Sequence, residues 1–306
     1  MSKEHNFVSA VVYLHNDAER VVPFLTMLYG QLEAHFEHYE IVCINDASTD
    51  ASADTVRRFA RERDFPLTLV QMSSWHGVEL AMNAGIDIAI GDFVFEFDSV
   101  EMPYQPGLLM DCYAKALQGY DIVWACPRRS RHGRRQLFYR IFNASFDSAY
   151  RMREDAFRLV SRRALNRVHA ISSMPPYRKA AYAASGLKLD NLEFEPSFPP
   201  RQKDKNPYTK ALDSLALYTD MFYRLSLGIS LVLLVLTMAF GIYTVVIYAS
   251  PVRQVEGWTS TMLVMCVGFF GIFLMLTIVI KYLSLLVDLV FKKQRYLVEG
   301  IEKIQR

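Results

Sequence analysis

Two stretches near the C-terminus, Leu225 to Tyr248 and Gly257 to Ile280, contain no charged residue. About 20 predominantly apolar residues cross a bilayer core, so each run is long enough to span one. Buried helices of a soluble core are the other use for such runs. Two of them separated only by a short Pro/Arg/Glu/Trp segment argue instead for a helical hairpin in a membrane. The connecting segment Ala249 to Trp258 carries only Arg253 and Glu256, whereas Arg224 precedes the first run and Lys281, Lys292, Lys293 and Arg295 follow or end the second. By the positive-inside rule both ends of the hairpin face the cytoplasm. The predicted membrane region is 225–290, with helices at about 225–248 and 259–283, and 291–306 reads as a cytoplasmic tail.

The chain before the hairpin alternates short apolar runs with helical stretches, the pattern of a mainly parallel sheet covered by helices. Phe7 to Leu14, Tyr39 to Ile44, Leu67 to Gln71, Phe93 to Phe97 and Asp121 to Cys126 are the predicted strands. Ala18 to Phe36, Ala53 to Arg63, Gly77 to Ile90 and Gly107 to Gln118 are the predicted helices. The fold class is therefore α/β, with one domain over 1–200 and a Pro- and Lys-rich linker from Pro196 to Pro207. Tyr208, Leu212, Leu215, Thr219 and Phe222 then recur at helical spacing. Within 201–224 this suits either an amphipathic helix at a membrane surface or a helix packed on the domain.

Composition narrows the function classes. With 34 basic and 32 acidic residues the chain has no global field that would attract nucleic acid, so any basic function is local. Cys43, Cys112, Cys126 and Cys266 are far apart, with neither zinc nor disulfide-framework spacing, which fits a reducing compartment. The apolar stretch Val8 to Leu14 is too brief for a signal-peptide core, so membrane insertion is expected to be directed from elsewhere.

Asp46 lies where the run Glu40 to Ile44 ends in Asn45-Asp46-Ala47-Ser48-Thr49-Asp50, at the carboxyl end of a predicted parallel strand, where ligands of such sheets collect. Its carboxylate can accept hydrogen bonds from a ribose or a base, and Ser48, Thr49 or Asp50 can cap the next helix. All of them would serve equally to end a strand and start a helix, and spacing alone favours that simpler use. A second cluster is Arg128, Arg129, Arg131, His132, Arg134 and Arg135, followed by Leu137-Phe138-Tyr139-Arg140-Ile141-Phe142. Guanidiniums bind phosphate oxygens through paired hydrogen bonds. Beside two apolar runs, such a cluster suits lipid phosphate better than nucleic acid; a solvated basic loop is the plainer alternative.

The Asp46 segment resembles the signature of family 2 glycosyltransferases, whose GT-A fold binds a nucleotide-sugar. The similarity starts at Val11-Val12-Tyr13-Leu14-His15-Asn16-Asp17, which looks like the family's first strand and its Asn-Glu turn. It continues through His76-Gly77 and Ala81-Met82-Asn83-Ala84-Gly85. The resemblance implies that Asp46, with Asn16, belongs to the donor site and that Asp98 is the first carboxylate of a metal-binding Asp-x-Asp, with Mg2+ or Mn2+ as cofactor. Here Asp98-Ser99-Val100-Glu101 has valine at the second position, and Val100 offers no side-chain oxygen to a hard cation. Glu101 could substitute from the next turn, and Glu96 lies on the same strand face as Asp98. Restoring aspartate at position 100 is then expected to strengthen the metal requirement.

Asp155-Ala156-Phe157-Arg158-Leu159 resembles the Asp-Phe-Arg-Leu segment of the polyprenyl-phosphate subgroup, which includes dolichol-phosphate mannosyltransferases and bactoprenol glucosyltransferases. Gly257-Trp258-Thr259-Ser260 is similar to that subgroup's turn between paired spans. The resemblance implies an inverting transfer from a nucleotide-sugar to polyprenyl (undecaprenyl) phosphate, for cell-envelope glycan assembly or modification, at the cytoplasmic membrane. Asp98 would hold the diphosphate or its metal, Arg128 and Arg131 the acceptor phosphate, and Asp155 and Arg158 would shape the acceptor pocket. The expected partners are the donor, the lipid acceptor and the membrane, with no nucleic acid; a homo-oligomer stays open. Two other readings remain at this point. One is an enzyme extending a glycan, whose hydroxyl acceptor needs a base such as Glu96, Glu101 or Asp155. The other is a non-catalytic membrane scaffold that retains the fold.

Overall fold

A computed structural model describes residues 3–63, 66–128, 143, 153–171, 175, 177–198 and 296–304, together with scattered helical positions between 228 and 286. The chain divides into two compact units, Met1–Ala211 with Gln294–Arg306, and Leu212–Lys293.

In the first unit the strands β1 (Val8–Leu14), β2 (Tyr39–Asn45), β3 (Leu67–Met72) and β4 (Phe93–Phe97) run parallel, in the spatial order β4-β1-β2-β3. β1 is buried along its whole length, which explains why it is apolar apart from Ser9: a parallel strand covered on both faces has no polar side to alternate with. Helix α1 (Val21–His35) covers one face through Val21, Phe24, Leu25, Leu28 and Leu32, spaced at threes and fours. α2 (Ser52–Arg63), α3 (Val78–Ile88) and α4 (Leu108–Leu117) complete the crossovers. β4 and β2 flank β1, so chain order reverses across β1 and the loops after all three strands open at one edge. That edge is the binding crevice of open α/β sheets.

Four further strands extend the sheet among the described residues. β5 (Ile122–Pro127) and β7 (Leu189–Phe194) are parallel, β6 (Phe157–Ser161) is antiparallel to both β4 and β5, and β8 (Val298–Ile304) is antiparallel to β3. Two short helices, α5 (Arg162–Ile171) and α6 (Arg178–Ala184), lie between β6 and β7. The segment 291–306, expected as a cytoplasmic tail, therefore contains the edge strand of the sheet. Ser73 N–H donates to the Leu297 carbonyl at 3.0 Å, and Arg57 holds Glu302 through two hydrogen bonds of 2.8 and 2.6 Å. Exposure alternates along Val298-Glu299-Gly300-Ile301-Glu302-Lys303-Ile304, with Glu299, Ile301 and Lys303 outward, as in an edge strand with one face to solvent.

In the second unit the described positions from 228 to 239 and from 261 to 286 are helical. Among the described residues, no helix is long and apolar enough to cross a membrane. Most of the two predicted spans, the helix predicted over 208–222 and the linker at 201–207 lie outside those residues. Gly271 lies against Leu233; a Cβ at this glycine would come within 1.9 Å of Leu233 Cδ1, so a larger residue requires the Leu233 side chain to move. Val232, Phe269, Phe270, Ile272 and Leu283 are exposed.

Candidate active site

Asp46 follows β2 and is fully buried. Its Oδ1 accepts the His76 N–H at 2.8 Å, and its Oδ2 accepts the Gly77 N–H at 2.8 Å and the Tyr13 hydroxyl at 3.0 Å. Gly77 has φ 82°, a left-handed conformation that glycine adopts without steric cost, so the turn can aim both N–H groups at one carboxylate. Asp46 thus fixes the loop that opens α3.

Asn16 ties the loop after β1 to the loop after β2: its Oδ1 accepts the Thr49 N–H at 2.8 Å, and its own N–H donates to Ser48 Oγ. Asn16 and Ala47 both have positive φ, at 55° and 49°. Asparagine tolerates this region, whereas Ala47 carries a cost of roughly 1–2 kcal/mol beside Asp46.

The third part of the edge is a buried ionic cluster. Asp98 follows β4, and its two oxygens go to different guanidiniums: Oδ1 accepts Arg178 Nη2 at 2.6 Å and Oδ2 accepts Arg158 Nη2. Arg178 in turn serves three carboxylates. Its Nε donates to Glu79 at 3.0 Å, its Nη1 to Glu96 at 2.6 Å and its Nη2 to Asp98. Glu96 lies opposite Arg158 in the β4–β6 register and also accepts the Tyr182 hydroxyl. Lys179 Nζ donates to Asp155 at 2.6 Å, and Arg158 Nε stands 3.5 Å from the other Asp155 oxygen. The Arg178 side chain is 1% exposed and that of Asp98 34%, so the cluster meets solvent chiefly through Asp98.

These contacts set the protonation states. Burial acts to raise the Asp98 carboxyl, but the Arg158 and Arg178 guanidiniums together hold it below its ordinary value. For Glu96 burial wins against the same two guanidiniums and the carboxyl is raised. Burial, followed by the Glu96 carboxylate, pushes the Tyr182 hydroxyl well above its ordinary value. Burial works against the charge on Arg158, yet Asp98, Asp155 and Glu96 keep its proton more tightly held than usual.

The structure therefore brings Asp98, Asp155 and Arg158 together, and leaves Asp46 and Asn16 at the neighbouring loops. Glu101 sits apart, its Oε1 3.3 Å from Arg20 Nη1, while Arg20 also binds Asp17 at 2.6 Å. Arg128 is on the surface, 3.5 Å from Glu195. Arg131 and the rest of the arginine cluster lie outside the described residues. Sequence reasoning did not find Glu79, Arg178, Lys179 or Tyr182. The signal was the pair Arg178-Lys179 with Tyr182 one turn on, at the start of a helix entered through Pro175-Pro176-Tyr177.

The cluster does not fit a divalent cation. A hard cation takes carboxylate, carbonyl and water oxygens, but both Asp98 oxygens and both Glu96 oxygens are already occupied by protein donors. Val100 is 2% exposed and belongs to the hydrophobic core, so the second position of the motif turns inward. Among the described residues, no group of three or more His, Cys, Asp or Glu side chains is arranged to hold a metal.

The chain matches glycosyl transferase family 2 over residues 9–185. It belongs to that family. This glycosyltransferase is similar to an uncharacterized glycosyltransferase of Synechocystis, at 25% identity over 83% of each chain. It is also similar to the undecaprenyl-phosphate 4-deoxy-4-formamido-L-arabinose transferase of Shewanella sediminis, at 29% identity over 40% of this chain and 37% of that one. Glucosyl-3-phosphoglycerate synthase from Mycobacterium tuberculosis, solved with Mn2+, UDP and phosphoglyceric acid, shares the fold: TM-score 0.54, 14% identity, 70% of this chain and 78% of that one. The α/β architecture of this glycosyltransferase is thus the GT-A fold with a mixed, mostly parallel sheet, and its reaction moves a sugar from a nucleotide-sugar donor.

Proposed function

We propose that this enzyme transfers its sugar to a polyprenyl phosphate, at a membrane that holds the segment between Leu212 and Lys293. The observation that carries the acceptor is the state of the three carboxylates that could act as base. Glu96 is bound by Arg178 and Tyr182, Glu101 by Arg20, and Asp155 by Lys179. A hydroxyl acceptor must lose a proton to a base in the transition state. A phosphate group is already anionic at neutral pH. Its oxygen can attack the anomeric carbon with its own electron pair while the bond to the donor's β-phosphate oxygen breaks. The nucleoside diphosphate leaves with that pair, no proton changes hands, and a single displacement inverts the configuration.

The membrane half of the reading rests on the two uncharged runs and on the exposed apolar side chains among the described residues of the second unit. The Shewanella protein that shares part of this sequence is named for an undecaprenyl-phosphate substrate. Because β8 returns the chain to the sheet of the first unit, any crossing between residues 211 and 294 must occur an even number of times. The basic residues flanking the hairpin then favour a catalytic unit on the cytoplasmic side. Purified full-length protein incubated with membrane lipid extract and a panel of radiolabelled nucleotide-sugars should put label into the organic phase. Label confined to water-soluble products would contradict the proposal.

A further inference from the structure

We propose that the guanidiniums of Arg158 and Arg178 stand in for the divalent cation that the Asp-x-Asp resemblance implies, so that this enzyme takes its nucleotide donor without a metal ion. The inference rests on the nucleotide-sugar reading of the site.

The geometry around Arg178 is that of a central cation. Its Nε, Nη1 and Nη2 reach Glu79 on α3, Glu96 on β4 and Asp98 after β4, at 3.0, 2.6 and 2.6 Å. A planar guanidinium has donors fixed in three directions and keeps its charge at all working pH values, so it can occupy permanently a place that an exchangeable ion would visit. Arg158 supplies a second fixed charge on the other oxygen of Asp98. A metal ion arriving at Asp98 would have to share or displace a guanidinium at either oxygen and settle against the positive charge of both.

The remaining positions point the same way. Val100 is packed in the core, so the motif has lost its second ligand together with the open side from which that ligand would act. Glu101, the carboxylate that follows Val100, is held by Arg20. Each of Glu79, Glu96, Asp98 and Asp155 has at least one of the cations Arg158, Arg178 and Lys179 within ion-pair distance, and Asp98 has two guanidiniums against its single charge. The exposed part of Asp98 therefore presents no uncompensated negative charge to an incoming diphosphate.

The test measures cation and nucleotide separately on the full-length protein in detergent. Manganese binding is followed by electron paramagnetic resonance of the free ion, first with protein alone and then with UDP or GDP added. Nucleotide binding is followed by calorimetry in manganese and in EDTA. The expected result is no manganese held at Asp98, and a nucleotide affinity that changes by less than about threefold on chelation. Manganese held by the wild-type protein and released in Asp98→Asn, or an affinity that falls about tenfold or more in EDTA, would overturn the proposal. Arg178→Gln provides a converse test that does not use the Asp98 variant. With their shared cation gone, Glu79, Glu96 and Asp98 should now take manganese, read as a metal-dependent rise in melting temperature that the wild type lacks. A cooperative melt of that variant that ignores manganese counts against the proposal. If neither nucleotide binds under any condition, the nucleotide-sugar reading of the site is what fails, and manganese binding to the protein alone still decides the cation question.

Discussion

Arg57 and Glu302 are joined by a two-pronged ion pair, Nε to Oε2 at 2.8 Å and Nη2 to Oε1 at 2.6 Å, that closes a loop of 245 residues. The pair clamps β8 to α2 beside the edge of β3. Both side chains are partly exposed, so Arg57→Ala should lower stability by only ~0.5 kcal/mol. Removing residues 296–306 should do far more, because β3 loses the hydrogen bonds of a whole strand and its apolar edge opens to water. Urea denaturation of the two variants checks the ranking; equal midpoints would mean that β8 contributes nothing to the sheet.

Arg178 should be among the residues least tolerant of truncation. Arg178→Ala leaves Glu79, Glu96 and Asp98 without their shared cation in a buried site, at a cost of ~3–5 kcal/mol. Tyr182→Phe removes one hydrogen bond to Glu96 and should cost ~1–3 kcal/mol. The cluster is one network, so the double variant should lose less than the sum of the two. A double-mutant cycle by chemical denaturation measures this, and strict additivity would contradict a shared network.

Val100→Asp should not restore metal use. The sequence motif suggests that it would, but the side chain at position 100 packs in the core, where a carboxylate has neither partner nor water. The substitution should destabilise the protein by at least ~3 kcal/mol and leave manganese binding unchanged. Thermal melting and paramagnetic titration of the variant give both readouts. A stable variant that gains a manganese site would show that the loop after β4 can turn outward.

Asp46→Ala should act through the loop it holds. Without the carboxylate, the His76 and Gly77 N–H groups and the Tyr13 hydroxyl lose their acceptor, at ~1–3 kcal/mol for each buried donor left unpaired. Faster amide exchange at positions 76 and 77, together with nucleotide affinity reduced about tenfold or more, is the expected pattern. Unchanged affinity alongside fast exchange would separate the loop from the donor site.

The parallel half of the sheet was legible in the sequence because burial on both faces leaves its strands predominantly apolar, with only one or two polar residues each. The predicted Phe93 to Phe97 coincides with β4, and Tyr39 to Ile44 falls one residue short of β2. β6, β7 and β8 were not recognised as strands. β6 carries Arg158 in its middle, buried only because Glu96, Asp98 and Asp155 answer its charge, and those partners come from other parts of the chain. β8 carries three charged residues among seven, has no fully buried position and is separated from its partner strand by more than two hundred residues. The site divided in the same way. Asp46, Asp98 and Arg158 could be picked out from local motifs, whereas Arg178 and Glu79 acquire their role only through a contact spanning 99 residues.

The central claim is that the acceptor arrives already charged, and comparing undecaprenyl phosphate with undecaprenol as acceptors tests it most directly. Purified full-length enzyme would be supplied with its labelled nucleotide-sugar and each lipid in turn. The account predicts label on the phosphate and none above background on the alcohol, because Glu96, Glu101 and Asp155 are all engaged by cations and leave the alcohol's proton without a base. Transfer to the alcohol at a comparable rate, or to neither lipid while a soluble glycan is labelled, would contradict it.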